Sequence, residues 1–151
     1  LASPVLAPVK VGELLGDIQK LFPSSKVRYI YKVEDECRKL MIDRSQMEQV
    51  LINLLKNASE ACEESPNPEV VVETTYQEEK YIFQLSVTDN GCGILPDVLD
   101  RIFIPFFTTK STGSGIGLSL CKQIVTMHGG SIRVTSEIGK GSCFVVKMVV
   151  K

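Results

Sequence analysis

At 151 residues, with 44% hydrophobic and 23% charged side chains, the chain has the composition of one soluble globular domain, long enough to bury a core and too short for two. Its formal net charge of −1 gives no electrostatic case for nucleic acid or an anionic membrane surface, and no apolar run approaches the roughly 20 residues of a membrane span. Five cysteines, odd in number and without a Cys-x-x-Cys pair, suggest neither a zinc site nor a disulfide framework and fit a reducing, cytoplasmic compartment.

The start at Leu1, without an initiator methionine or a targeting pattern, leads us to expect a portion of a longer chain. Residues 1–8, with Pro4 and Pro8, read as a linker from an upstream element, and residues 9–151 as the domain proper. Over 9–22 the apolar residues Val11, Leu14, Leu15, Ile18, Leu21 and Phe22 recur at helical spacing, and Pro23 ends the pattern. Residues 26–33 alternate Val27, Tyr29, Tyr31 and Val33 with Lys26, Arg28, Ile30 and Lys32, which predicts a half-buried strand, and a shorter strand follows at 39–42.

Asp43 reads as a helix cap, with Gln46 three residues on reaching back to it. The helix it opens runs to about residue 63, and Met47, Val50, Leu51, Leu54, Leu55, Ala58, Ala61 and Cys62 form its apolar face. Asn53 and Asn57 sit one turn apart at the edge of that face. Residues 65–68 form a loop, and 69–76 and 81–89 then read as a hairpin across a polar turn at 77–80.

After Asp89 the periodicity lapses. The next stretch holds Gly91, Gly93, Pro96, a short turn at 97–101, the aromatics Phe103, Phe106 and Phe107, and a polar tract at 108–112. Aperiodic segments of this length inside a small domain are usually functional loops. Gly113, Gly115 and Gly117 then lead into a helix that continues to about residue 127, with Leu120, Cys121, Ile124 and Val125 facing inward and Gly129-Gly130 stopping it. Strands at 131–136 and 143–150 close the chain. The sum is an α/β two-layer sandwich, a mixed sheet with three helices packed on it.

Three groups of residues carry chemistry. Glycines at a helix start expose unpaired amides and the positive end of the helix dipole, which suits a phosphate, although glycines also serve simply as turn residues. Neither the dinucleotide-binding pattern nor a Gly-Lys-Ser/Thr phosphate loop is present. Asp89, at the end of an apolar strand and followed by Asn90-Gly91, either caps a turn or accepts the exocyclic amino hydrogens of adenine; the carbonyl oxygen of guanine would be repelled there. Asn53 and Asn57 on the inner edge of an apolar helix need polar partners, either a structural hydrogen bond or Mg²⁺, which prefers oxygen ligands. Lys110 could supply a cation for phosphates.

Together these pieces resemble the ATP-binding catalytic domain of sensor histidine kinases, in the gyrase, Hsp90, histidine kinase and MutL superfamily with its Bergerat-type fold. The family's N box is matched by residues 49–58, its G1 box by 89–94, its F box by 102–110 and its G2 box by 113–118, in the right order. The Pro105-Phe106-Phe107-Thr108-Thr109-Lys110 form looks most like the nitrogen-regulation and dicarboxylate-sensing subgroup.

The resemblance implies ATP and Mg²⁺ as cofactors, with Asn57 as the metal ligand, Asn53 beside it, and Asp89 as the adenine-reading carboxylate. Gly91, Gly93 and Ile94 would lie at the base. Phe107, Thr109, Lys110, Gly113, Gly115, Ile116, Gly117 and Leu118 would line the lid and the phosphates. Hydrolysing members of the superfamily carry a glutamate one turn before the metal asparagine. Asn53 stands there and cannot act as a base, so transfer to a histidine is expected, for relay to a response-regulator aspartate.

That phosphoacceptor histidine would lie on an upstream dimerisation domain, leaving this fragment monomeric, inactive alone and without membrane contact. Many family members carry a Lys or His where this chain has Glu60, so Lys110 or Lys56 must serve as the phosphate cation. His128 reads as a C-terminal helix cap whose positive form suits the dipole, and Cys92 as a small residue filling a tight turn. An ATPase cycle, a serine-directed kinase and a degenerate interaction module are the alternatives.

Overall fold

The chain begins with a strand the periodicity does not announce. The computed structural model describes residues 1–107 and 117–150. In it β1 (Ala7–Lys10) runs straight into α1 (Val11–Leu21), and β2 (Arg28–Val33), β3 (Lys39–Ile42) and α2 (Arg44–Cys62) follow. Then come β4 (Glu69–Gln77), a 3₁₀ turn, β5 (Ile82–Asp89), the short α3 (Pro96–Leu99), α4 (Gly117–Met127), β6 (Ser131–Glu137) and β7 (Gly141–Val149).

Among the described residues the strands form two sheets. β1 pairs antiparallel with β3, placing Val9 opposite Leu40. The main sheet has the order β2-β4-β5-β7-β6, antiparallel throughout except where β2 lies parallel to β4. Strand alternation then decides which side is buried. Phe83, Leu85, Val87 and Asp89 of β5, with Phe144, Val146 and Met148 of β7, point into the core, while Thr88 and Lys147 face water. The apolar stripe of α2, from Met47 through Leu54 and Leu55 to Cys62, lies on that inner face with α1 and α4 beside it, giving the expected two layers. Leu54 and Leu55 are completely buried, each contributing about 2 kcal/mol by leaving water.

Three local readings change. The helix expected over 9–22 begins at Val11, because Val9 is drawn into the β1–β3 ladder, and residues 7 and 8 of the stretch read as linker belong to that strand. The strand expected at 26 starts at Arg28, after a turn in which the Ser25 amide donates to the Val27 carbonyl at 3.2 Å. The last strand begins at Gly141 rather than at residue 143.

Asp43 caps α2 as expected: its Oδ1 accepts the Gln46 N–H at 3.1 Å. The reciprocal half of the box is different. Gln46 turns away and donates its side-chain amide to the Ala2 carbonyl at 2.9 Å. The N–H of Asp43 instead donates to Nε2 of His128 at 3.1 Å, across from the end of α4. A backbone N–H can only donate, so Nε2 carries a lone pair and the ring is neutral, with its Nδ1 proton given to the Ile124 carbonyl at 2.9 Å. His128 thus closes the helix end as a neutral donor, not as the expected cation.

Asp43 Oδ2 also accepts the Val5 N–H at 2.9 Å. The amides of Val5 and Gln46 hold its carboxyl below the usual carboxylate range. Its contribution is therefore present above the unfolded carboxylate value, about 3.9, and lost as pH falls through the folded value. Asp43→Ala should cost about 1–2 kcal/mol near pH 7, and progressively less in acid, when urea denaturation is followed across pH.

α1 offers a matched pair of glycines. A Cβ on Gly12 would lie 2.8 Å from the Glu36 carbonyl oxygen, whereas one on Gly16 would meet nothing within 4 Å. Gly16→Ala should raise unfolding free energy by about 1 kcal/mol, and Gly12→Ala should lower it by about 1–3 kcal/mol; equal shifts in the denaturation midpoint would contradict this packing.

Candidate functional site

β5 delivers Asp89 to the edge of the core, and the chain then turns sharply over the end of α2. The carboxylate is 4% exposed. Its Oδ1 accepts the Gly91 N–H at 2.8 Å, while Oδ2 is buried and makes no hydrogen bond. Burial raises the Asp89 pKa, and the backbone amides of Gly91 and Ser142 oppose the rise. The raised value means that the folded state holds this proton more tightly than the unfolded chain does. Asp89 therefore adds stability at low pH that is lost as pH rises through its folded pKa, the reverse of Asp43. A buried carboxylate oxygen without a donor is costly. An exocyclic amino group is the kind of donor that would relieve it.

The residues around Asp89 are fixed by contact rather than by sequence alone. A Cβ on Gly91 would lie 2.2 Å from the Ala61 carbonyl oxygen, so only glycine lets the loop close over the end of α2, where the Cys92 N–H donates to the same oxygen at 3.3 Å. Gly93 has φ +80, and a Cβ there would meet the Glu137 carbonyl oxygen at 2.4 Å, while the Cys92 carbonyl accepts the Gly139 N–H at 2.9 Å. Cys92 itself is exposed. Asn90 points the other way and ties the loop to β4, accepting the Glu69 N–H at 2.9 Å and donating to the Asn67 carbonyl at 2.7 Å.

Sequence reading missed three supports. Ile94 donates its N–H to Ser136 Oγ at 2.7 Å; Ser136 Oγ in turn lies 3.1 Å from the Gly141 carbonyl and 2.8 Å from Ser142 Oγ. One assignment satisfies all three contacts: Ser136 donates to Gly141, and accepts from Ile94 and from Ser142. Gly141, at φ +127, brings its Cα against the Asp89 carbonyl, 2.0 Å from where a Cβ would be. A glycine opening a strand was the available signal.

Along α2 the other candidates follow in order. Asn53 donates Nδ2 to the Gly117 carbonyl at 3.3 Å and accepts from Gln49 Nε2 at 3.0 Å, so its amide joins α2 to the first turn of α4. Behind it burial pushes the Cys121 thiol to about 12, with the Asn53 side chain working against the rise. Asn57 lies one turn further on and is half-buried; Lys56 beside it is exposed. From Asn53 to Ala61 the helix rises about 12 Å at 1.5 Å per residue, so one edge of α2 touches the start of α4 at one end and the Asp89 loop at the other.

Gly117 and Leu118 open α4, with Leu118 packed against the core. Thr109, Lys110, Gly113, Gly115 and Ile116 lie outside the described residues. Of the aromatic run, Phe103 docks edge-on against Phe144 at 6.3 Å with Lys122 Nζ 5.5 Å from its ring centre, Phe107 is half-buried, and Phe106 is 76% exposed. Among the described residues no helix is long and apolar enough to cross a membrane.

Residues 42–151 match the family described as histidine kinase-, DNA gyrase B- and HSP90-like ATPase. The chain is 40% identical over 121 residues to the sensor histidine kinase ZraS of Escherichia coli (strain K12), covering 80% of this chain and 25% of that one. It thus spans about a quarter of the length of that curated relative. Among solved structures, the nucleotide-free catalytic domain of histidine kinase ThkA superposes with a TM-score of 0.81 at 30% identity, covering 97% of this chain and 96% of that one. ThkA in complex with the response regulator protein TrrA superposes with a TM-score of 0.77 at 27% identity, covering 98% of this chain and 42% of that one. Near-complete overlap with a solved catalytic domain fits a five-stranded sheet that ends β5 in a buried carboxylate. The chain belongs to the histidine kinase-, DNA gyrase B- and HSP90-like ATPase family, with the fold of a histidine kinase catalytic domain.

Proposed function

We propose that this domain, comprising residues 9–151, holds Mg²⁺-ATP between α2, the Asp89 loop and the segment leading into α4, and presents the γ-phosphate to a histidine on an upstream helical domain. The observation that carries the reading is the Asp89 carboxylate, buried, anchored through Oδ1 to Gly91 and left with an unpartnered Oδ2. In this reading Oδ2 accepts the adenine amino group, while Gly91, Gly93 and Ile94 shape the base site. Asn57 ligates the metal through its amide oxygen, and Mg²⁺, when bound, neutralises phosphate charge. Gly113, Gly115, Ile116, Gly117 and Leu118 surround the phosphates, with Lys110 or Lys56 as the cation, and Phe107 and Thr109 belong to the cover.

The same reading gives Asn53 a positioning part. Its oxygen is already engaged by Gln49 and its nitrogen by Gly117, and an amide is no base, so hydrolysis is disfavoured against transfer to a side chain. The exposed Phe106 suits a surface that meets the helical domain. The phosphoryl group then passes to a response regulator, the domain is monomeric by itself, and it works in the cytoplasm.

Calorimetric titration of ATP, ADP and GTP near pH 7.5, with and without Mg²⁺, tests the reading. Adenine nucleotides should bind, Mg²⁺ should strengthen ATP more than ADP, and GTP should give no heat. Failure of ATP and ADP to bind under every condition would leave only an interaction module.

A further inference from the structure

The two oxygens of Asp89 are not equivalent. Oδ1 accepts the Gly91 N–H at 2.8 Å, in a loop that packs so closely on the Ala61 carbonyl that a Cβ on Gly91 would lie 2.2 Å from its oxygen. That N–H can only donate, so Oδ1 stays an acceptor in every protonation state. When Asp89 takes up a proton, the proton goes to Oδ2, the oxygen without a partner. Oδ2 is therefore an acceptor in the ionised form and an O–H donor in the neutral form.

The surroundings do not settle the charge by themselves. β4 places Val70 opposite Asp89, β7 contributes Ser142, uncharged but with a backbone amide that favours the ionised form, and α2 contributes the buried Cys62 thiol, itself held protonated by burial and by the Asp89 carboxylate. Among the described residues no cation faces the carboxylate to fix it as an anion, and burial favours its neutral form.

Purines differ at the position such a group would read. Adenine presents an amino donor at C6, whereas guanine and hypoxanthine present a carbonyl acceptor. We propose that the protonation state of Asp89 sets base specificity, the ionised Oδ2 selecting a 6-amino purine and the protonated Oδ2 donating to a 6-oxo purine. This rests on the reading of the pocket as an adenine site and goes beyond it, since specificity becomes a function of pH rather than a fixed property. It also assigns the outcome of one substitution. In Asp89→Asn the side-chain oxygen must remain on the Gly91 N–H, so the NH₂ group occupies the Oδ2 position and presents a permanent donor.

The test compares inosine triphosphate with ATP, since inosine has the 6-oxo group without the 2-amino group of guanosine. Affinities of both are measured by calorimetry from about pH 7.5 to about pH 5.5, for the wild-type chain and for Asp89→Asn. The phosphates of the two nucleotides titrate alike and cancel in the affinity ratio. In the wild type the ratio of inosine triphosphate to ATP affinity should rise as pH falls, because burial favours the protonated carboxyl. In Asp89→Asn it should favour inosine triphosphate and be flat with pH.

Wild-type protein that binds ATP with an affinity ratio unchanged by pH would overturn the inference while leaving the adenine reading intact. So would a folded Asp89→Asn chain that still prefers ATP. If the wild type binds neither nucleotide at any pH, the adenine reading itself fails and the inference with it. The wild-type pH series stands even if the variant does not fold.

Discussion

Replacement of Gly141 by alanine is expected to destabilise the domain by about 3 kcal/mol or more and to abolish nucleotide binding. Two costs act together. The residue has φ +127, where an L side chain is strained by about 1–3 kcal/mol. Its Cβ would also sit 2.0 Å from the Asp89 carbonyl oxygen and 3.0 Å from the Asn90 Cα, both backbone atoms that cannot swing away. The overlap adds about 1–3 kcal/mol, or moves β5 away from β7. Such a shift would displace Asp89 itself. Urea denaturation checks the stability, and titration of the fraction that remains folded checks the binding. A variant that is as stable as the wild type and binds ATP equally would show that the close approach of β7 to Asp89 is not required.

Asn57→Ala should behave in the opposite way, leaving the fold alone and removing a specific part of the affinity. The residue is half-buried on the edge of α2, outside the fully buried stripe, so its loss should change unfolding free energy by less than about 1 kcal/mol. If its amide oxygen ligates the metal, ATP affinity in Mg²⁺ should fall at least about 100-fold, and affinity measured with a chelator should hardly change. Titrations in parallel with and without Mg²⁺ separate the two effects. Equal loss under both conditions would mean that Asn57 shapes the pocket instead of holding the ion.

The parts legible in the sequence were those written locally. The stripe of α2, the cap at Asp43 and the alternation that carries β5 to Asp89 each need only a few neighbouring residues, and each stands where the pattern put it. β1 was not legible, because what makes residues 7–10 a strand is β3, whose own residues come after a helix and another strand. The partners of Asp43 followed the same logic: Gln46 was the near candidate, and His128, far along the chain, took the place. Ser136, Gly141 and Ser142 looked like ordinary residues of a turn and two strands. They become supports of the Asp89 loop only through the β6–β7 register, which no local pattern carries.

The pairing of β5 with β7 also bears on how the surroundings of Asp89 are assembled. β4 and β5 meet through a short turn and can pair early, but Asp89 faces Ser142 only once residues 90–141, about a third of the chain, have closed the loop between them. Loop closure of that kind is slow, and its contacts add stability only once it is complete. An isolated β4–β5 hairpin would carry Asp89 without Gly141 or Ser142 around it. The surroundings of Asp89 are thus complete only in the fully paired sheet. A nucleotide bound there, as proposed, would recognise the fully paired sheet and no partly folded form, so by mass action it would protect the whole domain against unfolding.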